Sequence, residues 1–143
     1  MQNYQKILAA IDLSEQSLPL LKKSLMLLRQ HPKKLHVVHV AQHPLTGSGE
    51  RQHHDITESE ILQDLHDSLS QLCKPLNIPL QNQHIMFGAP CEAIESMVTT
   101  KSIDLVVVGH HPQHGFRALL GSTADALMKH TSCDVLALQF KSA

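Results

Sequence analysis

Five short runs of aliphatic and β-branched residues alternate along this chain with longer segments of helical period. The runs cover residues 6–11, 35–40, 85–87, 103–108 and 135–138. The fourth, from Ile103 to Val108, is almost continuously aliphatic, which is typical of a central strand covered on both faces. Strands that alternate with helices favour repeated strand–helix units and a parallel sheet. The chain has 143 residues, so we expect a single α/β domain over residues 1–143.

Apolar residues recur at helical spacing between these runs. A set of leucines predicts the first helix, which is expected to end at Pro32: Leu18, Leu21, Leu25 and Leu28. The second helix begins near Thr57 and has a wider apolar face: Ile61, Leu62, Leu65, Leu69 and Leu72. Pro90 suits the first position of a third helix. The buried face of that helix is predicted to hold Ile94, Met97 and Val98. A fourth helix is expected through about Thr131.

Charge and composition exclude several classes of protein. There are 12 Lys and Arg against 13 Asp and Glu, and this near balance, without a basic stripe, argues against a nucleic-acid partner. Aromatic residues make up only 3% of the chain, so a series of aromatic side chains on which the bases of single-stranded nucleic acid could stack cannot form. The three cysteines form no Cys-x-x-Cys pair, and no apolar run approaches the ~20 residues that cross a bilayer. We therefore expect a cytoplasmic protein with reduced thiols and no membrane partner.

Three features should meet at the carboxyl edge of the predicted sheet, where open parallel sheets bind ligands. Asp12 follows the first strand, Val40 ends the second, and Gly109 follows the fourth. The loop after Gly109 runs into Gly121-Ser122-Thr123 at the start of the fourth helix. Glycines let the backbone approach phosphate oxygens, and helix N–H groups bind anions. An ordinary turn and an ordinary helix cap explain the same residues equally well.

Four segments, taken in order, resemble one protein family. They are residues 6–14, residues 35–40, Gly88-Ala89-Pro90 with Ile94, and residues 104–109 leading to Gly121-Ser122, His130, Cys133 and Val135-Leu136. Together they resemble the universal stress proteins of the single-domain type, over essentially the whole chain. The resemblance implies a doubly wound, five-stranded parallel sheet of order 3-2-1-4-5 with helices on both faces. This is a Rossmann-like fold of the adenine nucleotide alpha hydrolase-like kind.

The same resemblance implies a small cytosolic stress-response protein with a regulatory or signalling role. Such proteins commonly form homodimers through the last strand, here from Val135 to Leu138. Many bind ATP, AMP or a related adenine nucleotide. By this resemblance Asp12 lies near the ribose and adenine, Ala10 and Val40 lie against the base, and Gly109 lies beside the ribose or phosphates. The phosphates are assigned to residues at the start of the fourth helix: Gly121, Ser122 and Thr123.

The loop between Gly109 and Gly121 also departs from the family pattern. Pro112 stands where the family has its second Gly, and only eight residues separate it from Gly121, one fewer than in the family. Proline removes an N–H and fixes φ. The loop retains Gly115, and three of its histidines could add positive charge near phosphate or be plain surface residues: His110, His111 and His114. The departures, together with a likeness to the universal stress protein A subgroup, support the alternative of a dimeric interaction module that binds no nucleotide.

Neither a catalytic group nor a metal site is evident in the sequence. No base or water-positioning carboxylate is identifiable, so at most slow ATP hydrolysis is expected. His36 and His39 lie three residues apart on a strand and should point to opposite faces. Hence no metal is expected beyond a nucleotide-bound Mg²⁺. Cys91, in the first turn of the third helix, is expected to have a lowered pKa, although filling space is its simplest role.

Overall fold

Five parallel strands form one sheet in the computed structural model, which describes residues 3–41, 58–110 and 125–140. The strands, in chain order, are β1 Ile7–Ala10, β2 Leu35–Ala41, β3 Gln83–Phe87, β4 Leu105–His110 and β5 Asp134–Gln139. Their spatial order is β3-β2-β1-β4-β5. Every neighbouring pair is parallel, which confirms the predicted topology.

β4 begins two residues later than predicted, at Leu105, because Asp104 has another role. Its two carboxylate oxygens accept the backbone N–H groups of Gln5 (2.9 Å) and Lys6 (3.0 Å). The Asp104 N–H in turn donates to the Lys6 carbonyl at 3.0 Å. Asp104 therefore aligns the entry to β1 with the entry to β4 at the amino end of the sheet.

Helices connect the strands on both faces of the sheet. They are α1 Ser17–Leu27, α2 Glu58–Cys73 and α3 Pro90–Lys101, and residues 125–130 are also helical. The prediction that α1 extends to Pro32 was wrong. Arg29 and Gln30 have φ of 54° and 62°, in the left-handed region, and the Gln30 N–H bonds to the Leu25 carbonyl at 2.8 Å. The helix is thus closed by its own C-terminal turn, and Pro32 begins a separate short 3₁₀ turn.

Two apolar clusters cover the two faces of the sheet. The larger joins α1 and α2 to the sheet through residues such as Leu21, Leu35, Leu69 and Val107. The smaller joins α3 and Leu127 to the opposite face. The predicted face of α3 is confirmed, since all three of its members are buried: Ile94, Met97 and Val98. On α1 the predicted Leu18 is 37% exposed, and Leu20 takes its place in the core.

β5 lies at one edge of the sheet. In β5, Leu136 and Leu138 pack against the larger cluster, whereas Ala137 is exposed.

Cys73, which ends α2, is fully buried. Burial raises the pKa of its thiol to about 12. It is therefore a neutral thiol at physiological pH.

Candidate functional site

The ends of β1, β2 and β4 bring four of the predicted site residues to one edge. Ala10 pairs with Val38 on one side and with Val108 on the other. Val40 therefore lies two residues further along β2, and Gly109 lies one residue further along β4. Asp12 lies two residues beyond the end of β1. A small cavity of about 10 Å³, room for roughly one water molecule, is lined by Ala10, Ile11, Asp12, Gln16, Ser17, Leu20 and Gly109.

Asp12 is held by the turn that leads into α1. Its Oδ1 atom accepts the Ser14 N–H at 2.9 Å and the Ser17 hydroxyl at 3.4 Å. Leu13, which lies between Asp12 and Ser14, has φ of 63°, a left-handed conformation that is uncommon for a leucine. The local sequence therefore forms an Asx-type turn that orients the carboxylate at the end of β1.

Val40 presents backbone groups to the same place. Alternate residues of a parallel strand direct their N–H and C=O groups to opposite neighbours. The Val38 carbonyl accepts the Ile11 N–H at 2.9 Å on the β1 side. The N–H and C=O of Val40 consequently point to that side as well, beyond Ile11, where the chain has turned away at Asp12. An acceptor and a donor are thus directed toward the space above the end of β1.

Several predicted site residues lie outside the described residues. They are His111, His114, Gly115, Gly121, Ser122 and Thr123, together with Pro112. His110 is the last residue of β4. The phosphate side of the predicted cleft thus remains a prediction from sequence.

A histidine pair at the other end of the sheet was missed by sequence reasoning. His36 Nδ1 and His84 Nε2 are 3.2 Å apart, and the two rings are nearly parallel, with centroids 5.4 Å apart and an interplanar angle of 15°. One ring donates an N–H to a ring nitrogen of the other. The expectation that His36 and His39 face apart is correct, because His39 instead reaches the Ile11 carbonyl. The missed partner lies on the neighbouring strand, and matching face parity of β2 and β3 could have indicated it.

The pKa of each histidine in this pair is lowered. For His84 the pKa falls to about 4, chiefly through burial and then through the charges of His36, Lys101 and His66. For His36 burial is again the main cause of the lowered pKa, followed by Lys101 and Lys6. All the charged groups that act on the pair are positive when ionised, so a proton on either ring is disfavoured.

The predicted lowering of the Cys91 pKa was wrong. Desolvation raises the pKa of this thiol, and a 3.3 Å hydrogen bond from Sγ to Glu95 Oε2 and the charges of Glu95 and Glu92 raise it further. The pKa of Cys133 is also raised, first by burial. Neither thiol has the lowered pKa of an activated nucleophile.

Residues 3–41, 58–110 and 125–140 contain no group of three or more His, Cys, Asp or Glu side chains that could hold a metal ion. In the same ranges, no helix combines the length and the apolar character of a membrane span.

Comparison with known proteins assigns the family. The family model described as "Universal stress protein family" matches residues 3–139. "Universal stress protein A homolog 1" of Coxiella burnetii is 34% identical over 142 residues, which cover 97% of this chain and 99% of the relative.

Solved structures agree with the fold. A universal stress protein from Lactobacillus plantarum matches with a TM-score of 0.72 at 20% identity, over 96% of this chain and 99% of its own. A universal stress protein in complex with cAMP matches with a TM-score of 0.64 at 19% identity, over 96% and 98% of the two chains. With the family model spanning nearly every residue, the chain belongs to the universal stress protein family.

Proposed function

We propose that this chain binds an adenine nucleotide, ATP or AMP, across the ends of β1, β2 and β4. The observation that carries the proposal is the convergence of Asp12, Val40 and Gly109 at one edge of the sheet. A structural relative at 19% identity was solved in complex with cAMP, which shares the adenine, ribose and phosphate chemistry.

Each described residue has a fitting chemical role. The Asp12 carboxylate accepts hydrogen bonds from ribose hydroxyls or from the adenine amine. The backbone N–H and C=O of Val40 match an acceptor and a donor on the edge of the base. The cavity beneath them holds one water at most, so the base and ribose would lie above the strand ends.

Replacement of Asp12 by Asn tests this assignment. Asn keeps an Oδ1 acceptor for Ser14 and Ser17, so the turn is preserved, while the charge and one acceptor are lost. We expect ATP and AMP binding, measured by calorimetry on nucleotide-stripped protein, to weaken by about tenfold or more, the effect of one charge-assisted hydrogen bond.

The matched control is Glu15→Gln, which removes the same charge from an exposed position in the same turn. It should bind as the wild type does. Mass spectrometry of nucleotide released on denaturation identifies any ligand that copurifies. Wild-type protein that binds neither nucleotide at millimolar concentration would contradict the proposal and favour the interaction module that binds no nucleotide.

We further propose a regulatory or signalling role in the cytoplasm rather than catalysis. Cys91 and Cys133 have raised pKa values, which do not suit nucleophiles. The bound nucleotide would then act by changing the shape or partners of the protein, with slow hydrolysis at most.

A homodimer through β5 is the assembly that we propose. β5 is an edge strand whose exposed Ala137 lies between the apolar residues Leu136 and Leu138. A second copy could extend the sheet across this edge and cover that surface.

Ala137→Glu should dissociate such a dimer. The two copies would place like charges close together, and we expect the dimer dissociation constant to rise about 100-fold by sedimentation. Ser96→Glu, at an exposed position of α3, adds the same charge elsewhere and should leave the dimer intact. A dimer that is equally stable in both variants would place the interface on another surface.

A further inference from the structure

The last hydrogen bonds between β1 and β2 involve Ile11, one residue past the end of β1. The Ile11 N–H donates to the Val38 carbonyl at 2.9 Å and so continues the strand ladder. The Ile11 carbonyl is bound by a side chain, since His39 Nδ1 lies 2.9 Å from it. Both groups of this residue are thus tied to β2, one of them through the imidazole of His39.

The proton of this bond must lie on His39. A carbonyl oxygen only accepts, so Nδ1 carries the hydrogen and donates it. His39 is half-buried on the strand, with Ile85 of β3 opposite it. Its ring therefore bridges from β2 to the chain that leaves β1, at the level where the sheet ends.

The bond fixes the peptide that carries Asp12. The Ile11 carbonyl belongs to the peptide unit whose nitrogen is that of Asp12, so holding this oxygen sets the plane of that peptide. Downstream, Ser14 and Ser17 hold the carboxylate relative to α1. His39 supplies the complementary restraint relative to β2, on which Val40 is the next residue.

We propose that His39 is a positioning residue of the nucleotide site, which fixes Asp12 relative to the backbone groups of Val40. This role rests on the proposed nucleotide binding. His39 contacts no nucleotide atom in this assignment and acts through the Ile11–Asp12 peptide.

Two substitutions separate positioning from simple packing. The amide nitrogen of Asn lies as many bonds from Cβ as Nδ1 of histidine, so His39→Asn can keep the hydrogen bond. His39→Leu fills similar space without a donor. For ATP binding by calorimetry, we expect His39→Leu to weaken affinity by about three- to tenfold and His39→Asn to stay within about twofold of wild type.

A double-mutant cycle tests whether the effect passes through Asp12. In the Asp12→Asn background, His39→Leu should weaken binding by much less than it does alone. Amide hydrogen exchange at Leu13 and Ser14, measured without nucleotide, should be faster in His39→Leu than in His39→Asn. Both measurements are made well below the unfolding temperature of each variant, so that lost stability does not mimic lost affinity.

The outcomes distinguish this role from the function on which it rests. Wild-type protein that binds no nucleotide overturns the proposed function and this role with it. Wild-type binding that His39→Leu leaves unchanged overturns the positioning role alone, as does full additivity with Asp12→Asn. Loss of binding in both His39→Leu and His39→Asn assigns the effect to the ring itself and also overturns it.

Discussion

Between pH 6.5 and pH 4, the free energy of unfolding of the wild-type chain should fall by about 2 kcal/mol more than that of a His84→Gln variant. The direction follows from the lowered pKa of His84, about 4 in the folded chain against 6.5 as its ordinary value. In this pH range the unfolded chain binds a proton that the folded chain does not. The stabilisation is therefore complete above pH 6.5, is lost as the pH falls toward 4, and changes no further below that.

The size of this effect follows from the same two values. A difference of one pKa unit corresponds to about 1.4 kcal/mol. We expect less than the full product, because His84 is only half-buried and water screens the positive charges around it. His36, whose pKa is lowered by the same burial, contributes in the same direction.

Urea unfolding at a series of pH values measures the difference. Gln does not gain a proton in this range. The difference between the wild type and the variant therefore reports the contribution of His84 and not that of the carboxylates, which titrate in the same pH range in both proteins. Parallel curves for wild type and His84→Gln would show that the pair is not held neutral in solution.

Leu21→Ala should destabilise the chain by about 2–5 kcal/mol, the usual cost of removing a buried leucine side chain. Leu21 is fully buried on α1, within the larger apolar cluster. The loss combines removed apolar contact with the cavity that the surrounding strands cannot fill. Urea denaturation measures this loss. The slope of the unfolding free energy against urea concentration should be the same in the variant as in the wild type.

Leu18→Ala provides the matched comparison on the same helix. Leu18 is 37% exposed, and its truncation should cost less than about 1 kcal/mol. Sequence spacing alone placed the two leucines on one face, so the experiment also tests the revised position of the core. Equal costs for the two truncations would contradict the packing described for α1.

The fold was predictable because its signals are strong and local. The aliphatic run of β4 and the alternation of strands with helices indicated a parallel sheet, and resemblance supplied its order. Helix ends were less predictable. Pro32 looked like the end of α1, but the chain adopts left-handed conformations at Arg29 and Gln30, which neither residue type signals. Asp104 likewise lies before β4 and not within it, because its carboxylate accepts backbone N–H groups from a segment far away in sequence.

The candidate site was predictable only where it follows strand ends. Ala10, Asp12, Val40 and Gly109 meet because parallel strands end at one edge. The bond from His39 to Ile11 depends on side-chain direction between two strands, which spacing within one strand does not reveal. The His36–His84 pair was missed for the same reason. The wrong direction for the Cys91 pKa reflects desolvation of the thiol first and the neighbouring glutamates second.

The buried thiol of Cys73 gives this protein an internal reporter of opening. With no exposed surface and a pKa raised to about 12, the thiol is both shielded from alkylating reagents and protonated in the folded chain. It can react only when the larger apolar cluster around it opens. Its rate of modification therefore follows the opening of the larger core rather than the chemistry of the surface, and Cys91 and Cys133 supply the faster background.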